Sequence, residues 1–230
     1  IGRPGLWRAF SRVGWQDPRI PVDGDPRDEE LWRYELEVPP GTWQGELSGV
    51  TSRAPPKWQT KTRYVEHEAI GYAVAVSAVD VARAYAGLAT GYLPDAGIVR
   101  GAGSRRPLGV ARENLDVVRA GLRGCVVHGT ARRVGLDREF DRYGGVYGKT
   151  GTAIIARPRG NGVVREIDNA WFAGFLGLGD QASLVVVAVV YQAPELDGGE
   201  IAAPMFREFL RSLENAGLDG YLDGSSLRED

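Results

Sequence analysis

Residues 144–192 read GGVYGKTGTAIIARPRGNGVVREIDNAWFAGFLGLGDQASLVVVAVVYQ, and this stretch decides the fold. It holds three strand candidates: Tyr147–Ala156, which ends in AIIA, Trp171–Leu178, WFAGFLGL, and Ser183–Gln192, β-branched and almost wholly apolar. The links between them, RPRGNG and GLGD, are turn chemistry, and Gly160-Asn161-Gly162 suggests a β excursion inside the first. Short links join neighbouring strands in antiparallel fashion, so the spacing predicts a meander of adjacent strands. Lys149 lies inside the first run. A phosphate-binding loop would need glycine where Tyr143 stands and a helix starting at Lys149. TGTAIIA follows instead and reads as strand, which argues against nucleotide binding.

Helical spacing flanks the meander on both sides. Ser77 is a good N-cap with Asp80 three residues on, and Val81, Ala82, Tyr85, Leu88 and Ala89 then recur at helical intervals as far as Gly91. A short strand is expected at Ile98–Arg100. Arg112–Val127 fits a second helix, with Leu115, Val118, Leu122, Cys125 and Val126 on one face and Asn114 as its cap. A last helix, about Glu200 to Asn215, carries Met205, Phe206, Phe209, Leu210 and Leu213 on its apolar side, and Gly217 suits the position after its end. The closing YLDGSSLRED is polar and expected to fray.

Residues 16–66 are rich in Pro, Gly, Trp and charge and read as long irregular connections, with a short strand at Leu31–Val38 and a short helix before them at Leu6–Val13. The expected organisation is an irregular N-terminal segment over 1–66, a folded part over 67–216 and a polar tail over 217–230. The fold class is α+β: an antiparallel sheet with helices packed on it.

The 230 residues are 43% hydrophobic and 25% charged, too apolar for a disordered chain and enough to bury a core without disulfides. Thirty acids against 28 bases leave a net charge of −2, without the basic footprint of a nucleic-acid binder. One cysteine and two histidines make no zinc-ligand cluster. The longest apolar run, Ala182–Tyr191, is about half of the ~20 residues a membrane helix needs. The chain opens on Ile1-Gly2 with no basic segment and no apolar leader, which reads as a fragment boundary. Only three of the 28 basic residues are lysines, Lys57, Lys61 and Lys149, so each is worth weighing. Cys125 reads as core, His67 and His128 as surface residues, and Arg105-Arg106 and Arg132-Arg133 as solvated pairs.

Lys149-Thr150-Gly151-Thr152-Ala153 is similar to the K-T-G element of the serine acyltransferases that bind penicillin. Upstream, GCVVHGTA (124–131) resembles the segment preceding K-T-G in penicillin-binding transpeptidases, and Ile70-Gly71-Tyr72 with Ser77–Gly91 resembles their IGxG…TPLQLARAYAALANGG segment. Downstream, AWFAGF (170–175) and GGEIAAPMF (198–206) resemble their AWFxGF strand and the GG…AAPVF start of their last helix. Gly45-Glu46 with Gly49 matches their PGE region faintly. The blocks keep the family order over roughly residues 40–213.

The resemblance implies a penicillin-binding transpeptidase fold in part, and it implies roles. Lys149 would attract a substrate carboxylate, Thr150 would hydrogen-bond it, Gly151 would let the substrate backbone lie close, and the Thr152 N–H would supply half an oxyanion hole. The implied substrate is a peptidoglycan stem peptide ending in D-alanyl-D-alanine, with β-lactams as acylating inhibitors and no metal or organic cofactor. The implied location is the extracytoplasmic face of the bacterial cytoplasmic membrane, with the anchor outside this chain.

Two family elements are absent. No Ser precedes a Lys by three residues, since Ala54, Trp58 and Val146 occupy those positions. No Ser precedes an Asn by two, since Arg112, Arg159, Ile167 and Leu213 stand there. In the family both lie upstream of the matched region. Two readings follow. In one, the chain is the C-terminal part of a D,D-transpeptidase domain whose nucleophile lies outside it, in a missing N-terminal half or a separate polypeptide. In the other, it is a truncated, catalytically inactive module that scaffolds cell-wall assembly.

Overall fold

The computed structural model describes residues 78–95, 104–158, 164–179, 182–191, 193 and 196–227. The expected helix at Leu6–Val13, the strands at Leu31–Val38 and Ile98–Arg100, the Gly160–Gly162 excursion and the Ser77 cap lie outside them, as do Lys57, Lys61, His67 and the matched blocks around Gly45 and Ile70. The chain divides into two compact units, Ile1–Ala84 with Tyr92–Gly109, and Tyr85–Gly91 with Val110–Asp230.

In the first unit, helix α1 (Ala78–Thr90) begins, and β1 (Tyr92–Pro94) pairs antiparallel with β2 (Arg105–Pro107). Arg83 donates from Nε to the Pro94 carbonyl at 2.9 Å, and its guanidinium lies 3.8 Å from Asp95 and 3.7 Å from the buried Asp80. Three-residue strands are too short to show periodicity, so this ribbon was not legible in the sequence.

The second unit carries the meander. β3 (Val146–Pro158), β4 (Val164–Leu176) and β5 (Leu184–Val190) form an antiparallel sheet in the order β3-β4-β5. The register sets Thr150 opposite Phe172 and Gly151 opposite Trp171, and Phe172 opposite Ala188. Alternation then sorts the side chains. Val146, Phe172, Leu176, Val186 and Ala188 share one face, and the last helix, α4 (Ala203–Asn215), covers it with Phe206 and Leu210. The Phe172 and Phe206 rings meet edge-on at 4.8 Å and 67°. Phe175 heads the other face, stacked on Tyr147 at 5.3 Å and edge-on to Tyr85 at 6.3 Å.

α2 (Arg112–Val127) has the expected bounds, but Ala111, not Asn114, stands at its N-cap, and no side chain caps it. Val118 is exposed; Leu115, Leu122, Cys125 and Val126 alone make the buried stripe. Arg119, on the next turn, donates from Nε to the Leu88 carbonyl at 2.6 Å and from Nη2 to the Ala89 carbonyl at 3.1 Å, satisfying two acceptors in the last turn of α1. In α4, Phe206 and Leu210 are fully buried while Met205 and Phe209 are exposed beside β5. α4 follows a single π turn, Gly198–Ala202, which Asp197 and Glu200 close with a capping box. The tail is not frayed over 218–227. Leu222 is fully buried, and Ser183 donates its hydroxyl to the Leu222 carbonyl at 2.6 Å. Among the described residues no helix is long and apolar enough to cross a membrane.

A short helix, α3 (Leu136–Glu139), is tied to α4 through one carboxylate: Glu139 accepts from Arg207 Nε at 2.6 Å and from Arg211. Partial burial alone would push this carboxyl up, but the Arg211 and Arg207 guanidiniums outweigh it and hold Glu139 below the usual glutamate value. A depressed carboxylate contributes stability above its unfolded pKa of ~4.3 and loses it as pH falls through the folded value. Glu139→Gln should therefore lower the Tm from neutral pH down to about pH 5, with the gap from wild type closing in stronger acid. Thermal melts across that range check it; a gap independent of pH would show that packing, not charge, joins the helices.

Candidate functional site

Lys149, Thr150, Gly151 and Thr152 lie in β3, in mid-strand, so no helix N-terminus faces Lys149. Lys149 and Thr152 are exposed and Thr150 and Gly151 half-buried. β3 pairs with β4 alone among the described residues. The Val146 carbonyl accepts from Arg123 Nη1 at 3.2 Å, so it points away from β4. Main-chain groups of alternate residues face the same edge, which directs those of Gly148, Thr150 and Thr152 to the unpaired side. Lys149 Nζ agrees with this direction: it donates to the Thr150 carbonyl at 2.9 Å and lies 3.4 Å from Thr150 Oγ1. The stretch thus offers an ammonium and a hydroxyl along the strand edge that β4 leaves open, the chemistry that receives a carboxylate.

The turn after α2 flanks this edge. Thr130 Oγ1 lies 2.5 Å from Thr150 Oγ1 and 3.4 Å from Cys125 Sγ. Cys125 is buried, as the sequence suggests, but it also borders the site. Burial alone would push its thiol up; the Thr130 hydroxyl, the main chain at Thr150, the Lys149 charge and the main chain at Ala131 together outweigh it and hold the thiol below the ordinary cysteine value. Burial pushes the Tyr85 phenol up to about 12, with the nearby Cys125 adding to it, so that phenol stays neutral.

The π turn closes the site from a third side. A Cβ on Gly198 would fall 2.2 Å from the Trp171 carbonyl oxygen and 2.6 Å from that of Gly151, and one on Gly199 would fall 2.7 Å from the Thr130 carbonyl oxygen. Glycine at both positions lets the turn sit directly on backbone. Of the adjacent aromatic pair, Phe172 is in the core and Trp171 is half-buried on the opposite face. His128, Arg132 and Arg133 are exposed, and Arg105-Arg106 belongs to the first unit. Among the described residues no group of three or more His, Cys, Asp or Glu is disposed to hold a metal ion. Sequence reasoning missed Thr130 and the contact of Gly198 with Gly151. The only local signals were the Gly-Thr after α2 and the paired glycines before α4.

Gly198→Ala should destabilise the protein by about 1–3 kcal/mol, because the added methyl meets backbone that cannot rotate aside. Urea denaturation checks it; a loss under ~0.5 kcal/mol would mean the turn shifts freely off the strand.

Matched against family models, the chain fits the penicillin-binding protein transpeptidase domain over residues 33–211. No curated protein matches it. Among solved structures it is similar to the apo TP domain of penicillin-binding protein 3 from Burkholderia pseudomallei, at 20% identity and a TM-score of 0.62, covering 93% of this chain and 58% of that one. Penicillin-binding protein 3 from Mycobacterium tuberculosis, complexed with aztreonam, matches at 19% identity and a TM-score of 0.59, covering 94% of this chain and 47% of that one. Helicobacter pylori PBP2, in complex with MreC, matches at 17% identity and a TM-score of 0.57 over 72% of this chain and 31% of that one. At such identities the likeness is one of fold. The chain spans little more than half the length of the first of these structures, at 58%.

Proposed function

Because the chain belongs to the penicillin-binding protein transpeptidase domain family, we propose that it supplies the K-T-G wall of a D,D-transpeptidase that cross-links peptidoglycan, with the serine nucleophile provided from outside this chain. The observation that carries this reading is the edge of β3 that no described strand pairs, where an exposed Lys149 stands beside the Thr150 hydroxyl. Lys149 draws the C-terminal carboxylate of a D-alanyl-D-alanine stem peptide, and Thr150 hydrogen-bonds it. Gly151 admits the substrate backbone as an added strand. The Thr152 N–H donates to the oxyanion as the serine oxygen attacks the penultimate carbonyl. The C–N bond to the terminal D-alanine then breaks, its amine takes a proton, and a second stem peptide's amine releases the ester. The sequence requires no metal or organic cofactor. Penicillins enter as mimics that acylate the serine and stay. The substrate puts the domain on the extracytoplasmic side of the membrane.

One observation favours a second reading. None of the nine serines has a Lys three residues on. A chain without that pair, and without one completing it, is an inactive module that scaffolds cell-wall assembly through a protein partner.

One experiment separates the two. Intact-mass spectrometry with excess penicillin should find no adduct on the chain alone, because acylation needs a hydroxyl beside a base. Mixed with a polypeptide bearing Ser-x-x-Lys from the same family, the adduct should form on that partner. Lys149→Ala should slow its formation about tenfold or more, ~1.4 kcal/mol of barrier. A stoichiometric adduct on the lone chain overturns the external nucleophile. No adduct in any mixture favours the scaffold.

A further inference from the structure

The Thr150 hydroxyl has more neighbours than its proposed task requires, and their donor inventory leaves its proton two directions, of which only one serves an arriving carboxylate. Lys149 Nζ, 3.4 Å away, is an ammonium and can only donate. Thr130 Oγ1, 2.5 Å away, can donate or accept. A hydroxyl has one proton and two acceptor sites. If Thr150 gave its proton to Thr130, nothing would remain for a carboxylate arriving from solvent. If Thr130 donates instead, both acceptor sites of Thr150 are filled, by Thr130 and Lys149, and its single proton is directed outward. Thr130 then has acceptor sites left for a third group, and the Cys125 thiol, 3.4 Å from it, can donate to one while it keeps its proton; only the thiolate would draw the Thr130 proton to itself.

Local structure holds these groups in line. After α2, the Gly129 N–H turns back to the Gly124 carbonyl at 2.9 Å, and the Ala131 N–H to that of Cys125 at 3.2 Å. A Cβ on Gly129 would lie 2.8 Å from Cys125 Cα, so only glycine permits a reversal this tight. The reversal sets Thr130 between a buried thiol and the strand edge.

We propose that Thr130 is a positioning residue of the K-T-G wall: Cys125 S–H donates to Thr130, Thr130 O–H donates to Thr150, and the Thr150 proton is thereby presented to the substrate carboxylate. This rests on the reading of Lys149 and Thr150 as a carboxylate site. It gives two residues outside the K-T-G element a part in recognition, and makes a buried thiol the far end of a relay that starts at the ligand. No proton is transferred; binding selects one of two hydrogen-bond directions.

The chain has one cysteine, so its infrared S–H stretch is a single band from the end of the relay. The probes are N-acetyl-D-alanyl-D-alanine and its C-terminal amide, titrated against the full chain. The acid should bind more tightly than the amide and move the S–H band to lower frequency, as a donating thiol requires. Thr130→Val should reduce the acid-over-amide preference about tenfold and abolish the band shift, while Thr130→Ser restores both. Thr130→Ala, smaller and at an exposed position, should match the valine variant. The preference should fall no further in Thr130→Val/Thr150→Val than in Thr150→Val. If Thr150→Val loses the preference but Thr130→Val keeps it, or the band shift survives in Thr130→Val, the relay is overturned while the carboxylate site stands. If the wild-type chain does not distinguish acid from amide, the carboxylate site itself falls, and the relay with it.

Discussion

The backbone approach of Gly198 to the Gly151–Trp171 pair is the constraint on which the rest of the site depends. A methyl there would come within 2.2 Å of a carbonyl oxygen, so the chain entering α4 lies directly on the sheet. The π turn is the geometry of that contact: its extra residue re-aims the chain from the strand surface into α4. Asp197 and Glu200 hold the turn by satisfying its first N–H groups, which gives one short segment both the cap and the close approach. From this follow the seating of Phe206 on Phe172 and of Gly199 against Thr130.

The sheet is two-sided in a way that separates stability from chemistry. One face is filled by Phe172, Phe206 and Leu210, the other by Phe175, Tyr147 and Tyr85. With both faces committed to packing, the polar functions of β3 have only its edge. Lys149 shares a face with Tyr147 by alternation, yet its ammonium turns back to the edge, to the Thr150 carbonyl. The long pairing with β4 makes this edge rigid, which is what a recognition edge needs, since ordering a loose strand on binding would cost affinity.

The ion pairs reinforce that division. Glu139 with Arg207 and Arg211, and Arg142 with Glu214, fasten the segment before β3 to α4 without using Lys149. Arg123 pairs with Asp141 at 2.6 Å and also holds the Val146 carbonyl, so it anchors β3 where the strand begins. Lys149 has no carboxylate among these pairs, and its charge faces solvent.

Read alone, the residues determined a great deal. Strand-like runs separated by Gly-rich turns point to an antiparallel meander, because period-two burial and turn chemistry are local, although the middle strand begins at Val164 and not at the expected Trp171. The helix over Arg112–Val127 and the α+β class followed from periodicity in the same way, and the blocks around K-T-G carried the family. Tertiary structure decided what local pattern cannot carry. Val118, Met205 and Phe209 suit an apolar stripe but are exposed, because a helix buries only the width its neighbour covers. Leu222, in a polar tail, is buried because its side chain joins the core under α4, where Ser183, 39 residues away, binds its carbonyl. Cys125, Thr130 and Thr150 read as a core filler, a turn residue and part of a motif. Only the glycine reversal after α2, brought against a paired strand, puts three such groups within hydrogen-bond reach, and no spacing along the chain encodes that distance.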